Sequence, residues 1–208
     1  VKDRIFVLDK STGAIVKSIW ASAPDGWRNR FPSSPLPWGN KVFAPSQNYR
    51  FYGIVATDSS TSPFLAWNSG RILSGSPILL DRGNTNTSDD YIVFTADGTQ
   101  GAIFVFRPSN NQIVTSWNTP NGIAGSSVSL NGTTWVTTTK DGRMYKLNAS
   151  SLSLTSDTDF YNANPGGWKR LRPMSYTPNT GYVFFGVLNL NNDYGYVIRL
   201  NPNDGSYA

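Results

Sequence analysis

The sequence predicts an all-β fold made of repeated four-stranded antiparallel units. Three observations lead there. The composition suits turns and opposes helices. A strand-and-turn motif recurs five times along the chain. Between its copies lies a second pair of short strands, entered each time through small residues.

The composition sets the class. Across 208 residues there are 19 Gly and 13 Pro, with abundant Ser, Thr and Asn. The 13 acidic residues are all Asp. These side chains compete with helical backbone bonds or set turn dihedrals, so they break helices and shape turns. Aromatics make up 13% of the chain, more than a disordered segment carries, so the polar bias does not signal disorder. The length is sufficient for one sizeable core.

The repeat comes next. Its copies are Asp3-Arg4-Ile5-Phe6-Val7-Leu8-Asp9, Tyr52-Gly53-Ile54-Val55-Ala56-Thr57-Asp58, Gly101-Ala102-Ile103-Phe104-Val105-Phe106-Arg107, Gly142-Arg143-Met144-Tyr145-Lys146-Leu147-Asn148 and Gly195-Tyr196-Val197-Ile198-Arg199-Leu200-Asn201. Each alternates apolar and polar residues with period two and ends in a turn rich in Ser, Asn, Gly or Pro. Three copies then reach a tryptophan at matching depth: Trp20, Trp67 and Trp117. Between copies, small residues open a short strand at Ser33-Ser34-Pro35-Leu36, Gly75-Ser76-Pro77-Ile78, Gly125-Ser126-Ser127-Val128 and Met174-Ser175-Tyr176. A further strand follows at Lys41–Ala44, Tyr91–Phe94, Thr134–Thr137 and Tyr182–Phe185. Each unit therefore has four strands, A to D from first to last. Four-stranded meanders of roughly 40 to 50 residues, repeated about an axis, are the signature of a β-propeller. Small residues at the start of strand A suit its crowded centre.

The units predicted are a partial blade over 1–20, blades over 21–67, 68–117 and 118–160, and a partial blade over 161–208. The chain opens in a strand C and stops in or just before a strand D, so these units do not close a ring cleanly. That predicts a segment of a larger ring, of roughly six to eight blades.

The opening stretch, Asp3 to Trp20, has a strand ending Leu8-Asp9, a Thr12-Gly13 turn, and a Trp seven residues beyond the glycine. In this it resembles the quinoprotein-type (PQQ-like) propeller repeat; Thr57, Arg107 and Asn148 drift from that pattern. The resemblance implies a propeller, with Trp20, Trp67 and Trp117 docking adjacent blades. The superfamily holds both quinone-dependent dehydrogenases and cofactor-free scaffolds. The dehydrogenases would require a calcium held by Glu, Asn and Asp, a catalytic Asp or His, and often a vicinal Cys pair. This chain has no Glu, no His and no Cys. The expectation is thus a cofactor-free, non-catalytic member. The missing histidine also removes the usual neutral-pH base, and the missing cysteine removes thiolate and disulfide chemistry.

Loop chemistry supplies the candidate sites. D-to-A and B-to-C loops share one rim of a propeller. Two D-to-A loops echo each other there: one carries Trp27, Arg28 and Arg30, the other Trp168, Lys169, Arg170 and Arg172. Tyr49 and Arg50 join them from a B-to-C loop. Aromatic rings beside guanidinium groups can stack on a sugar or hold a carboxylate or phosphate through paired N–H donors; as structural elements they would cap the gaps between blades. Asn189, Asn191 and Asp193 are weak calcium candidates, since their oxygens alternate but lack the charge and bidentate Glu of a calcium loop. Asn86, Asn131 and Asn148 begin Asn-x-Ser/Thr sequons, acceptors of glycans in a secreted eukaryotic protein; Asn148, at a strand end, is expected to be the least accessible.

Net charge is +5, scattered, with no recognition helix, which argues against nucleic acid. No apolar run reaches membrane-spanning length. The expected function is an extracytoplasmic scaffold or binding module, extracellular, at the cell surface, or periplasmic in a bacterium. It would contact a protein, a glycan or another copy of itself. A self-assembling surface component and a fragment of a PQQ- and calcium-dependent dehydrogenase are the alternatives.

Overall fold

The computed structural model describes residues 4–20, 30–58, 60, 62–80, 87–123, 127–130, 134–138, 143–157, 168–177, 180–189, 194–201, 203–204 and 206. Side chains are described at these positions except 130, 134–138, 156–157, 168–173 and 188–189.

Five antiparallel sheets follow one another along the chain. The first pairs β1 (Arg4–Leu8) with β2 (Ile15–Trp20). The second runs in spatial order β3 (Leu36–Trp38), β4 (Lys41–Pro45), β5 (Arg50–Val55), β6 (Leu65–Asn68). In the third, β7 (Ile72–Leu73) and β8 (Ile78–Leu80) both pair with β9 (Tyr91–Asp97), which continues to β10 (Gly101–Arg107) and β11 (Gln112–Thr119). The fourth is β12 (Val128–Leu130), β13 (Thr134–Thr138), β14 (Met144–Asn148) and β15 (Ser153–Asp157). The fifth is β16 (Trp168–Thr177), β17 (Tyr182–Asn189) and β18 (Gly195–Leu200). No α-helix occurs among the described residues; Thr87–Asp89 forms one 3-10 turn. The fold is a β-propeller of four-stranded antiparallel blades, as the repeat predicts.

Each strand is placed by its alternation. In the third sheet, Tyr91, Val93, Ile103 and Val105 bury against Tyr145, Leu147 and Ala149 of the fourth-sheet segment. Their neighbours Ile92, Phe94, Ala96, Ala102, Phe104 and Phe106 bury against Phe43 and Phe51 of the second. Period two thus sends one parity to each neighbour. The same rule joins Ile5 and Ile19 to Ala44 and Ile54, and Val128 and Met144 to Met174, Phe185 and Ile198. The core is therefore four layers between five sheets, rather than one central mass. Its densest part is aromatic: Phe51 and Phe94 stack with centroids 3.9 Å apart, and Trp67 lies edge-on to Phe104 at 5.1 Å.

Polar ties cross the same layers. The ammonium of Lys17 is buried and donates to the Val55 carbonyl at 2.8 Å and to the Asp58 carboxylate at 2.5 Å. The Trp38 indole donates to buried Asp90 at 2.9 Å. The C-to-D turns repeat a motif of their own. Asp9 accepts the N–H groups of Ser11 and Thr12, as Asn148 accepts those of Ser150 and Ser151. Gly13 closes the first such turn at φ +71, where a side chain would be strained.

Two expectations are corrected. β5 begins at Arg50 rather than Tyr52, and Ala56–Asp58 lies beyond it, because the turn before the strand ends at Tyr49. The segment from Trp168 to Pro173 is strand rather than loop: Trp168 pairs with Asn189, Arg170 with Leu188 and Leu171 with Val187. Two register shifts, between Trp168 and Arg170 and between Leu171 and Met174, absorb the extra residues, and Pro173, which has no N–H to give a ladder, falls in the second.

Two stability outcomes follow. Phe94→Ala should cost about 4 kcal/mol in urea unfolding, since the cavity opens against Phe51, Phe104 and Trp67 at once. Asp58→Ala should cost about 1–2 kcal/mol and more than Lys17→Met, because only the former strands a buried ammonium; Asp58 is itself partly exposed, which keeps the figure low.

Candidate functional site

The rim bearing the D-to-A and B-to-C loops is held together by the backbone. The Arg30 carbonyl accepts the Gln47 N–H and the Ser46 hydroxyl, both at 2.9 Å. This ties the chain entering the second sheet to its own β4–β5 turn. Ser69, just after β6, donates through N–H and hydroxyl to the Tyr49 carbonyl at 2.7 and 2.8 Å. On the third sheet the Ile123 N–H reaches the Ala96 carbonyl. A Cβ on Gly122 would collide with the Asp97 carboxylate and Gly98 backbone, so only glycine permits that crossing. The opposite rim is tied separately, where the Ser109 hydroxyl donates to the Ser88 carbonyl and Lys41 to the Pro108 carbonyl.

Within the first rim, Asn48 organises the candidate side chains of the second sheet. Its amide donates to the Tyr52 hydroxyl at 2.7 Å, and its carbonyl oxygen accepts the Arg50 N–H at 3.2 Å. Burial pushes the Tyr52 phenol above its ordinary range, and the Asn48 bond pulls it partly back. The phenol thus stays neutral and accepts that bond. Tyr49, held between these anchors, has φ 69. A non-glycine residue there marks strain that the surrounding bonds must sustain.

The structure gathers three of the nine ligand-binding candidates on this sheet. Arg30 is exposed, Tyr49 is half-buried, and half-buried Arg50 reaches the Ala66 carbonyl at 3.4 Å. Trp27 and Arg28 lie outside the described residues. Trp168, Lys169, Arg170 and Arg172 belong to β16 of the fifth sheet, with the third and fourth sheets intervening in chain order. Of the calcium candidates, Asn189 closes β17, while Asn191 and Asp193 lie outside the described residues. Among the described residues no three Asp side chains gather as a metal would require.

Asn86 and Asn131 also lie outside the described residues. Asn148 does not: it is exposed, its side-chain oxygen engaged by Ser150 and Ser151.

The three tryptophans diverge. Trp67 packs on Phe94 and Phe104 of the third sheet, and Trp117 packs against the layer between the third and fourth. Trp20 does neither. Ile19 faces the second sheet, so the next side chain, Trp20, points away from it. There it is 43% exposed, with the Arg4 guanidinium 3.4 Å from its ring centroid. Sequence reading also missed the polar ties of Lys17, Asp90 and Asn48. Only the turn signal around Asn48 hinted at any of them.

No family model matches this chain, and no curated protein matches it. Among solved structures it is similar to the crystal structure of BamB from Moraxella catarrhalis, with a TM-score of 0.60 and 14% identity. The match covers 99% of this chain and 57% of the BamB chain, so this chain spans little more than half of that protein's length. At such identity the likeness speaks for the fold alone, and that fold is a β-propeller.

Replacing Tyr49 by glycine should leave a protein about 1 kcal/mol more stable than replacing it by alanine, measured by thermal unfolding. Both remove the ring, so the difference reads the backbone strain alone. Asp9, exposed and accepting four bonds from Ser11 and Thr12, should titrate at about 2 in an NMR experiment. Because its pKa is lowered in the fold, its turn contributes stability above the unfolded value of 3.8, lost as pH falls toward 2.

Proposed function

We propose that this chain is a non-catalytic β-propeller scaffold that binds a protein partner through the rim carrying Arg30, Tyr49 and Arg50. It works outside the cytoplasm, as a cofactor-free member of the quinoprotein-type superfamily. The observation that carries the reading is the preorganised turn at Ser46–Arg50. Asn48, Ser69 and the Arg30 carbonyl hold a strained Tyr49, with Arg50 next to it at the start of β5 and exposed Arg30 tied to the same turn through its backbone. Rigid aromatic and arginine anchors are what protein interfaces draw their energy from. The chemistry of the chain supports the same side. Without His, Cys or Glu it has few groups to move protons or hold a redox centre, and the rim's cations suit a carboxylate-bearing partner surface.

The test is capture from an extracytoplasmic extract on immobilised protein, followed by titration of the captured partner. Arg30→Ala with Tyr49→Gly should weaken binding about tenfold or more without lowering the melting temperature. Unchanged affinity would remove this rim from the interface. The catalytic alternative has its own readout: adding calcium and the quinone should give neither a cofactor absorbance band nor dye reduction. Either signal would turn the assignment to a dehydrogenase.

A further inference from the structure

Arg71 lies outside every candidate group read from the sequence, yet hydrogen bonds tie it to the rim described above. It precedes β7, where the chain passes from the second sheet to the third. Ser69 couples it to Tyr49: the Ser69 hydroxyl donates to the Tyr49 carbonyl at 2.8 Å and accepts the Arg71 N–H at 3.1 Å. The Arg71 guanidinium in turn donates to the Gly101 carbonyl at the start of β10. Gly101 is close-packed, since a Cβ there would collide with the Thr119 hydroxyl and the Asn121 carbonyl. One bonded path therefore runs from the Arg30 carbonyl through the Ser46–Arg50 turn, Ser69 and Arg71 onto the third sheet.

Along this path the charge is of one sign. Arg30 is exposed, and Arg50 and Arg71 are half-buried. None of the three is in an ion pair; among the described residues that contact is made by Lys17 and Asp58. Arg50 and Arg71 each donate to a main-chain carbonyl, of Ala66 and Gly101, a neutral acceptor that leaves the guanidinium charge uncompensated. From Arg30 to Leu80 the sequence holds one carboxylate, Asp58, and it lies beyond β5 at the opposite rim, engaged by Lys17. Asp89 and Asp90, before β9, belong to that opposite rim too. On the third sheet the first rim adds Asp97, whose carboxylate accepts the Gly98 N–H at 2.7 Å. Guanidinium groups anchored to carbonyls and kept from carboxylates retain donors and charge for an anion from outside. A stacked sugar would need an open aromatic face, and Phe31 and Tyr49, the rings described on these loops, are both half-buried.

We propose that Arg71 acts with Arg30 and Arg50 to receive a carboxylate-rich segment of the protein partner, a run of Asp and Glu laid across the second and third sheets. This role of Arg71 rests on the binding function proposed above, and it extends that surface by one sheet. Each arginine belongs to a segment fixed by the same bonded path, so the cations meet the partner with little ordering left to do. Uncompensated charge at a rim also draws an acidic partner from a distance, so binding is salt-dependent and its rate of association more so than its rate of release.

Fluorescence anisotropy of a labelled deca-glutamate peptide, titrated with the 208-residue chain, tests this. The peptide should bind in about 50 mM salt and weaken about tenfold on raising salt to about 200 mM. Arg71→Gln should weaken it about fivefold, and Arg30→Gln, at an exposed side chain that the fold does not need, by a similar factor. Lys10→Gln, which removes an exposed cation from the opposite rim, should leave it unchanged. Melting temperatures like the parent's confirm that the variants fold. A peptide that does not bind, equal losses from Arg71→Gln and Lys10→Gln, or tighter binding of an oligogalacturonate would each overturn the proposal, the last by moving the site to an acidic glycan. If deca-glutamate ignores Arg71 while a captured partner still depends on Arg30 and Tyr49, the acidic segment falls and the rim stands. If the captured partner ignores Arg30 and Tyr49, the rim itself falls.

Discussion

A β-sheet buried on both faces needs a cover on each, and this requirement organises the whole molecule. With period-two side chains, one strand can serve two neighbours at once, sending odd positions one way and even positions the other. The third sheet does so throughout: Val93 and Ile103 meet the fourth sheet while Phe94 and Phe104 meet the second. Stability is then a sum over successive layers rather than the property of one core, as in other quasi-repetitive folds. The polar ties reinforce the same seams. Lys17 to Val55 and Asp58, Trp38 to Asp90, and Lys41 to Pro108 all join one sheet to the next.

Because side chains are consumed by the layers, chemistry is left to the rims. There the backbone does most of the positioning. Arg30, Ser46, Asn48 and Ser69 use main-chain, hydroxyl and amide bonds to hold the Tyr49 turn, with Arg50 opening the strand that follows. A distant likeness to BamB fits this architecture.

Much of the fold was legible because it is written in local patterns. The five strand C copies, the small-residue entries and the Asx-type turns at Asp9, Asn148 and Asn201 each declare themselves within a few residues. Less of the candidate site was legible. Tyr49 lies in the B-to-C turn and Arg50 opens the strand after it, but the residue that organises them, Asn48, is an ordinary turn asparagine until Tyr52 is brought against it. The segment from Trp168 was misread for a similar reason. Its arginines and Pro173 look like loop chemistry, and only the length of β17 beside it turns it into strand.

The sequence by itself determined the strand order, the four-stranded unit, the layered alternation and the absence of histidine, thiol and glutamate chemistry. These are properties of spacing and composition, which need no partner in space to be read. Only the tertiary structure decided which face each strand turns to which neighbour. Trp67 and Trp117 found covering sheets, whereas Trp20, at the same place in its repeat, came to lie outward over Arg4. The physical reason is that a shift of one residue in register reverses every side chain on a strand, and register is fixed by packing between distant segments rather than by local preference.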